Sequence, residues 1–258
     1  MWSKGDCVRM AVPSPSVADL PVEERDLPGA DLSAWFNPFL SFFAGEARRC
    51  GGEARIFREG GRVVGLLVTD PIERVASILS RIPSVAEPWV HGRGSMGIYC
   101  DFPIEPGSEA FDIFSVTLTA GLPTHRFRHA LRPFSGKDLP AVLDLMREVY
   151  GVVNERWFDD VPNPSEAGLL AEVDGRLAGV GWASRVGRHA RLHSLTVRAP
   201  FRRLGIGTDL VFGRLLWARR NGVEEALSEI SVRNVGSQAA AVRAGMRRVG
   251  RMYYYPPM

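Results

Sequence analysis

The chain is poor in cysteine, nearly devoid of lysine and without any long apolar run. Its three cysteines, Cys7, Cys50 and Cys100, are scattered over the first half of 258 residues. That spacing forms neither a disulfide framework nor a zinc site, and it suits a reducing compartment. No apolar stretch approaches the roughly 20 residues that a transmembrane helix needs. The opening "MWSKGDCVRMAVPSPSVADLP" contains no continuous apolar core, so it does not read as a signal peptide. The expectation is a cytoplasmic protein with no membrane partner. What is present is ordinary for a globular protein: 45% apolar and 24% charged residues, in a chain long enough for one large domain or two small ones.

Charge is distributed unevenly. The formal net charge is +3, yet between Arg185 and Arg251 fourteen arginines face four acids, Asp209, Glu224, Glu225 and Glu229. Such an excess belongs either to a solvated basic surface or to an anionic ligand or nucleic acid. Only Lys4 and Lys137 are lysines among 32 basic residues. Arginine is therefore the chain's general-purpose cation, and residue type alone singles out none of the arginines as an anion ligand.

The two halves echo each other. "ARIFREGGRVVGLLVTDPIERVASI" (54–78) and "GLLAEVDGRLAGVGWASRVGRHARL" (168–192) align at an offset of 114. Each reads as strand, Gly-Arg turn and strand, with Gly61-Arg62 and Gly175-Arg176 at the turns. The first half then reaches "HGRGSMGIYCDFP" (91–103), where Gly92, Gly94 and Gly97 have GxGxxG spacing. A dinucleotide fingerprint must follow a strand and open a helix. Here a strand-like "IYCDF" follows instead, so the stretch reads as a glycine-rich loop.

The second half parses as β-α-β-β-β-α-β-α-β, a mixed α/β sheet with helices on its faces. After a short strand at "LRP", Ser135 or Asp138 is placed to cap a helix with Leu139, Val142, Leu143, Leu145 and Met146 on one side. "VPNPSEAG" (161–168) is a loop. Two strands flank Gly175-Arg176, and a third carries "RLHSLTV". In the helix that follows, Ile206, Leu210, Gly213 and Trp217 share a side, while Arg214, Arg219 and Arg220 lie elsewhere; Asn221-Gly222 stops it. Then come the strand "ALSEISV" (226–232), a helix at "SQAAAVRAG" (237–245) and a last strand ending in "MYYY".

The strand-to-helix turn "RRLGIGT" (202–208) carries the chemistry. The first amides of a helix lack partners and point outward at the positive end of its dipole. Gly205 and Gly207 let a phosphate approach the backbone, and Thr208 adds a hydroxyl. A P-loop is excluded because its lysine is missing, and a dinucleotide turn because Leu210 stands where the third glycine belongs. The plain alternative is a glycine turn that only packs a helix tightly on a sheet.

The segment V-x-A-P-F-R-R-L-G-I-G (197–207) resembles the acetyl-CoA-binding motif of the GCN5-related N-acetyltransferases (GNAT), with Arg202, Gly205 and Gly207 filling R/Q-x-x-G-x-G/A. "VRNVGSQAAAVRAGMRRVG" (232–250) resembles the family's second signature through Asn234 and Gly245-Met246. Together the two segments and the strand order cover roughly residues 130–255. The resemblance implies a GNAT-like twisted mixed sheet flanked by helices. Taken with the echo, it implies two such domains: a loosely ordered lead-in over 1–20, a degenerate N-terminal copy over 21–125 that binds no CoA and shapes the substrate cleft, and an acyl-CoA-binding domain over 126–258. It further implies that acetyl-CoA is the co-substrate and that no metal is used. The pyrophosphate would lie on Arg202, Arg203, Leu204, Gly205, Ile206, Gly207 and Thr208, and the pantetheine arm along Leu195, Thr196 and Val197, with Asn234 and Ser237 also at the cofactor. One strand amide would polarise the thioester carbonyl as the amine attacks.

"ARLHSLTV" is similar to the corresponding strand of arylalkylamine N-acetyltransferases, which implies His193 as general base; the second histidine of that relay is replaced by Arg191. Glu229, on the neighbouring strand, is the reserve candidate. His189 and His193 share a strand, but without a third ligand they make no metal site. Many relatives place a tyrosine seven residues after the motif's asparagine, where it protonates the CoA thiolate; this chain has Ala241 there. Water, Ser237 or one of Tyr253–Tyr255 is left to supply that proton, unless the tyrosines only pack a strand. The acceptor is expected to be an amine-bearing small molecule or a peptide N-terminus, chosen by the 149–168 region, where Asp159 and Asp160 could attract a cation. A catalytically silent acyl-CoA sensor is the alternative that Ala241 favours. A basic nucleic-acid-binding module is favoured least, because the arginines are not interleaved with aromatics.

Overall fold

Two left-handed residues, Asp174 (φ 50°) and Gly175 (φ 73°), close a two-residue hairpin in which Val173 faces Arg176. Asp-Gly is the pair such a turn prefers, so the reversal sits one residue earlier than the Gly175-Arg176 expected from the echo. The structure, a computed structural model, describes residues 22–23, 54–59, 62–70, 75–80, 83–94, 97–151, 153 and 166–258. The 1–20 lead-in, Cys7, Cys50, Gly61, Asp159 and Asp160 lie outside the described residues.

The strands are β1 (Val22–Glu23), β2 (Ala54–Glu59), β3 (Arg62–Asp70), β4 (Val75–Ser80), β5 (Gly97–Cys100), β6 (Glu109–Thr117), β7 (Leu131–Pro133), β8 (Glu166–Val173), β9 (Arg176–Val186), β10 (His189–Val197), β11 (Glu225–Ser231) and β12 (Arg247–Tyr255). The helices are α1 (Pro83–His91), α2 (Leu139–Tyr150), α3 (Ile206–Arg220) and α4 (Val235–Arg243). The chain divides into two compact units, one of residues 1–110 and 251–258, the other of residues 111–250.

In the first unit β1, β2, β3 and β4 pair antiparallel in sequence order, and β5 joins β4 in parallel after α1. Tyr253–Tyr255 pair antiparallel with Ile98–Cys100. Ala86 and Val90 of α1 pack with Leu67, Ile78, Ile98, Cys100 and Tyr255 in one apolar cluster. Burial pushes the Cys100 thiol up to about 12. The glycines at 92–97 leave a helix and open a strand, the reverse of the order a dinucleotide turn requires. The Tyr255 hydroxyl accepts from the amides of Ile104 (2.5 Å) and Glu105 (3.2 Å), and the Tyr99 and Tyr254 rings meet tilted by 34° with centroids 4.6 Å apart.

The second unit is a mixed sheet. β7, β8, β9 and β10 run antiparallel, β11 pairs with β10 in parallel, and β6 pairs antiparallel with β11. Side chains alternate across a strand, and β9 shows which helix covers which face. A Cβ on Gly179 or Gly181 would meet Ile206, Leu210 or Arg214 of α3. Val180 and Trp182 instead pack with Val142, Leu143, Leu145 and Met146 of α2. The two helices therefore lie on opposite faces of this sheet. α2 is entered through a 3-10 turn at Gly136–Asp138, where Asp138 accepts from the amide (2.9 Å) and hydroxyl (2.8 Å) of Ser135. Arg132 holds both Asp138 oxygens at 2.8 Å and keeps that carboxyl well below the usual carboxylate range. Among the described residues no helix is long and apolar enough to cross a membrane.

Candidate functional site

The turn after β10 is built from two left-handed residues. Arg202 donates from Nε to Val197 O (3.1 Å), Arg203 has φ 68° and Gly205 has φ 99°. This sequence of dihedrals swings the chain into α3, whose first ladder bond is Asp209 N to Gly205 O (3.0 Å). No side chain caps this helix start. The amides of Ile206, Gly207 and Thr208 thus belong to the unpaired first turn. The two glycines are required for different reasons. Gly205 needs its left-handed conformation, and the aliphatic stem of Arg128 sits 3.3 Å from where a Cβ would be. At Gly207 φ is not left-handed, and a Cβ would find only Val197 at an ordinary 3.9 Å. Internal packing therefore does not demand a glycine at 207, whereas close approach of a ligand would.

The turn is braced from beneath. Asp209 is 1% exposed and accepts from His125 Nε2 (2.7 Å), His129 Nδ1 (2.8 Å) and the amides of Arg128 (3.2 Å) and His129 (3.0 Å). His125 also stacks on Phe212 with ring centroids 3.9 Å apart. This clamp ties the segment before β7 to the first turn of α3. It was not legible in the sequence, because its members are some eighty positions apart.

Upstream of the turn the sheet opens. β10 and β11 pair only over His189–Arg191 and Glu225–Leu227; beyond that Ser228 Oγ donates to Leu192 O at 2.8 Å and the ladder ends. On its other side β10 is bulged against β9, since His193 faces Trp182 and Thr196 faces Val180 while Ser194 and Leu195 share Gly181. Ser194 takes φ 50°, the left-handed residue of the bulge. Leu195, Thr196 and Val197 therefore run along the edge left open by β11 and end beside Gly207.

Residues paired directly across an antiparallel ladder share a face, so His193, Trp182 and Val180 put His193 and Thr196 on the α2 side. His193 Nε2 lies 2.8 Å from Ser184 Oγ, and Nδ1 lies 3.1 Å from Ser194 Oγ. Ser184 Oγ lies 3.4 Å from Glu166 Oε1 in turn, and in the tautomer whose Nε2 donates to Ser184, Nδ1 is an acceptor. Thr196 Oγ1 donates to the hydroxyl of Tyr150, the last residue of α2, at 3.1 Å. Glu229 forms an ion pair with Arg191. His189 lies 3.6 Å from Glu225 and so has a different partner from His193; among the described residues no group of three such side chains is arranged to hold a metal ion.

Asn234 caps α4, its Oδ1 accepting from Ser237 N at 3.1 Å. The pair sits at a second helix start, apart from the Gly205–Thr208 turn in the chain. Ala241 is 1% exposed and packs with Val211, Leu215, Ala240 and Ala244, so the position expected to bear a tyrosine is part of the core. Arg214 corrects an expectation: read as lying away from the side of Ile206 and Leu210, it is 2% exposed and turned inward with them. It follows Ile206 and Leu210 at steps of four, and the helix repeat carries it inward with them. Burial draws its guanidinium down to about 9, so it is charged at neutral pH.

Comparison with known proteins agrees with this geometry. Residues 134–246 match the acetyltransferase (GNAT) family. No curated protein matches the sequence. The fold is similar to that of a GCN5-related N-acetyltransferase from Sphaerobacter thermophilus (17% identity, 80% of this chain and 82% of that one, TM-score 0.57). It is also similar to a GNAT-family acetyltransferase from Colwellia psychrerythraea (13% identity, 93% and 100% covered, TM-score 0.57). A third likeness is to a tandem GNAT protein from the clavulanic acid biosynthesis pathway (16% identity, 83% and 87% covered, TM-score 0.51). An uncapped helix start behind a glycine turn, a bulged strand and an open ladder, within a segment that matches the family, identify residues 134–246 as a domain of the acetyltransferase (GNAT) family.

Proposed function

We propose that this domain transfers an acetyl group from acetyl-CoA directly to a primary amine. The observation that carries the reading is Gly207, a glycine that neither the fold nor its own dihedral requires, at the mouth of an uncapped helix. Acetyl-CoA, when bound, supplies the activated acyl thioester. The amides at Gly205–Thr208 hold its pyrophosphate by hydrogen bonds reinforced by the helix dipole. Leu195–Val197, along the edge that β11 leaves open, take the pantetheine arm, and the bulge amides are the donors aimed at the carbonyl. On the α2 face His193 Nδ1 receives the amine's proton by way of Ser194 or a water, while Ser184 and Glu166 hold Nε2 and steady the imidazolium. Glu229 stays the reserve base, its ion pair with Arg191 being the feature that argues for a structural part.

The buried Ala241 favours one second reading, an acyl-CoA sensor without turnover. A thiol-release assay with acetyl-CoA over amines, amino acids, aminoglycosides and peptide N-termini separates the two. Turnover is expected with at least one acceptor class, and His193→Ala should lower kcat by about 10²-fold or more. Unchanged turnover in that variant removes His193 from the mechanism. Tight acetyl-CoA binding with no turnover selects the sensor.

We further infer that the N-terminal half is a degenerate copy of the same fold. In support, β2–β5 follow the same pairing sequence as β8–β11: antiparallel, antiparallel, then parallel across a helix.

A further inference from the structure

Arg214 carries a full charge into the sheet–helix interface with no carboxylate partner among the described residues. A buried, uncompensated guanidinium is among the costliest groups a core can hold. Its donors go to three carbonyls on three elements: Nε to Leu210 O of α3 (3.0 Å), and Nη1 to both Trp182 O of β9 (3.0 Å) and His193 O of β10 (3.0 Å). Those last two carbonyls belong to the residue pair at which the β9–β10 register shifts. The opposing residue is cut back to make room: a Cβ on Gly181 would lie 3.0 Å from Nε and 3.1 Å from Cζ of Arg214. Gly181 is also the residue that faces Ser194 and Leu195 together, and Ser194 is held left-handed at φ 50°. A serine adopts that conformation only when its surroundings impose it.

We propose that Arg214 is a positioning residue for acyl transfer: threaded past Gly181, it grips the His193 carbonyl from the α3 side, holds the bulge in register, and so aims the bulge amides at the thioester carbonyl. The inference rests on the acyl-CoA reading above. Arg214 acts through the backbone of His193–Leu195 and touches no reacting atom. Its fixed positive charge beneath the bulge also favours the negative charge that develops on the carbonyl oxygen. A lysine retains the charge but lacks the planar fork that reaches two strands and its own helix at once.

The test reads the carbonyl rather than stability. Acetyl-CoA labelled with ¹³C at the carbonyl is bound to wild type, Arg214→Lys and Gly181→Ala, and the thioester stretch is followed by isotope-edited infrared spectroscopy. CoA affinity is measured alongside by calorimetry. Wild type is expected to lower the stretch relative to free acetyl-CoA. Both variants should lose most of that shift at unchanged CoA affinity, and kcat for any accepted amine should fall about 10²-fold, the cost of a misplacement near 1 Å. Should Arg214→Lys fail to fold, Gly181→Ala decides alone, because it keeps the charge and only displaces the donors. A shift retained in the folded variants, or absent from wild type that binds acetyl-CoA, overturns the role of Arg214 and leaves the acyl-CoA reading standing. Wild type that binds no acetyl-CoA overturns both.

Discussion

Asp138 and Arg132 show how a single carboxylate can make stability depend on pH. The Arg132 guanidinium, followed by the Ser135 hydroxyl and amide, holds the Asp138 carboxyl well below its ordinary value. A depressed carboxyl stabilises the fold fully above its unfolded pKa of about 3.9, and that stability is lost as pH falls from there toward the folded value. Asp138→Asn should therefore cost about 1 kcal/mol at neutral pH, a figure held down by the exposure of Arg132. Urea titrations should show that cost constant from about pH 5 to 8 and shrinking below about pH 4. Asp138 was visible in the sequence as a capping candidate, but its partner Arg132 was not. Capping follows from spacing along the chain, whereas the ion pair depends on where β7 ends. The same distinction explains Arg214. Its spacing of four from Leu210 is in the sequence, yet it was read as lying elsewhere, because two of the carbonyls and the missing Cβ that let an arginine turn inward come from two other strands.

At the scale of an element, the first turn of α3 separates stability from binding. Gly205→Ala forces a left-handed alanine and should destabilise by about 1–2 kcal/mol. Gly207→Ala adds a methyl that meets nothing closer than 3.9 Å, in a helix position where alanine is the better residue. It should leave the melting temperature unchanged or raised, yet weaken CoA binding in a calorimetric titration. If Gly207→Ala binds CoA as tightly as wild type, the helix start is not the pyrophosphate site. The strands and helices of the second half were legible because their apolar periods and their turn residues agree. Bounds moved by one to three residues: β8 takes Glu166–Gly168 from the expected 161–168 loop, β11 begins at Glu225, and α4 starts at Val235 on its Asn234 cap. The bulge in β10 was not legible, because nothing in "LHSLTV" distinguishes a regular strand from one that gains a residue against its neighbour.

At the scale of the whole molecule, the C-terminal residues serve the unit built from the N-terminal half. Tyr253–Tyr255 pair with Ile98–Cys100, and Tyr255 is 1% exposed in the Leu67–Ile98–Cys100 cluster. Deleting residues 251–258 should therefore strip hydrogen-exchange protection from β5, while β8–β10 keep theirs. Equal loss in both sets would show that the two units unfold as one. The tyrosine triplet left two readings open in the sequence, proton donor or strand packing, and the spent hydroxyl of Tyr255 places that residue with packing.

By itself the sequence determined the glycine turn and the order of elements around it. Gly205, Gly207 and the alternating apolar strands act over a few neighbouring residues, where dihedral preference and side-chain period suffice. Only the tertiary structure decided what surrounds the open edge of β10 and the turn that follows it: Asp209 between two histidines some eighty positions away, His193 beside Ser184 and Ser194, and Arg214 threaded past Gly181. Each joins residues from separate elements, and their polar groups find partners only after the sheet has brought those elements to within hydrogen-bond distance.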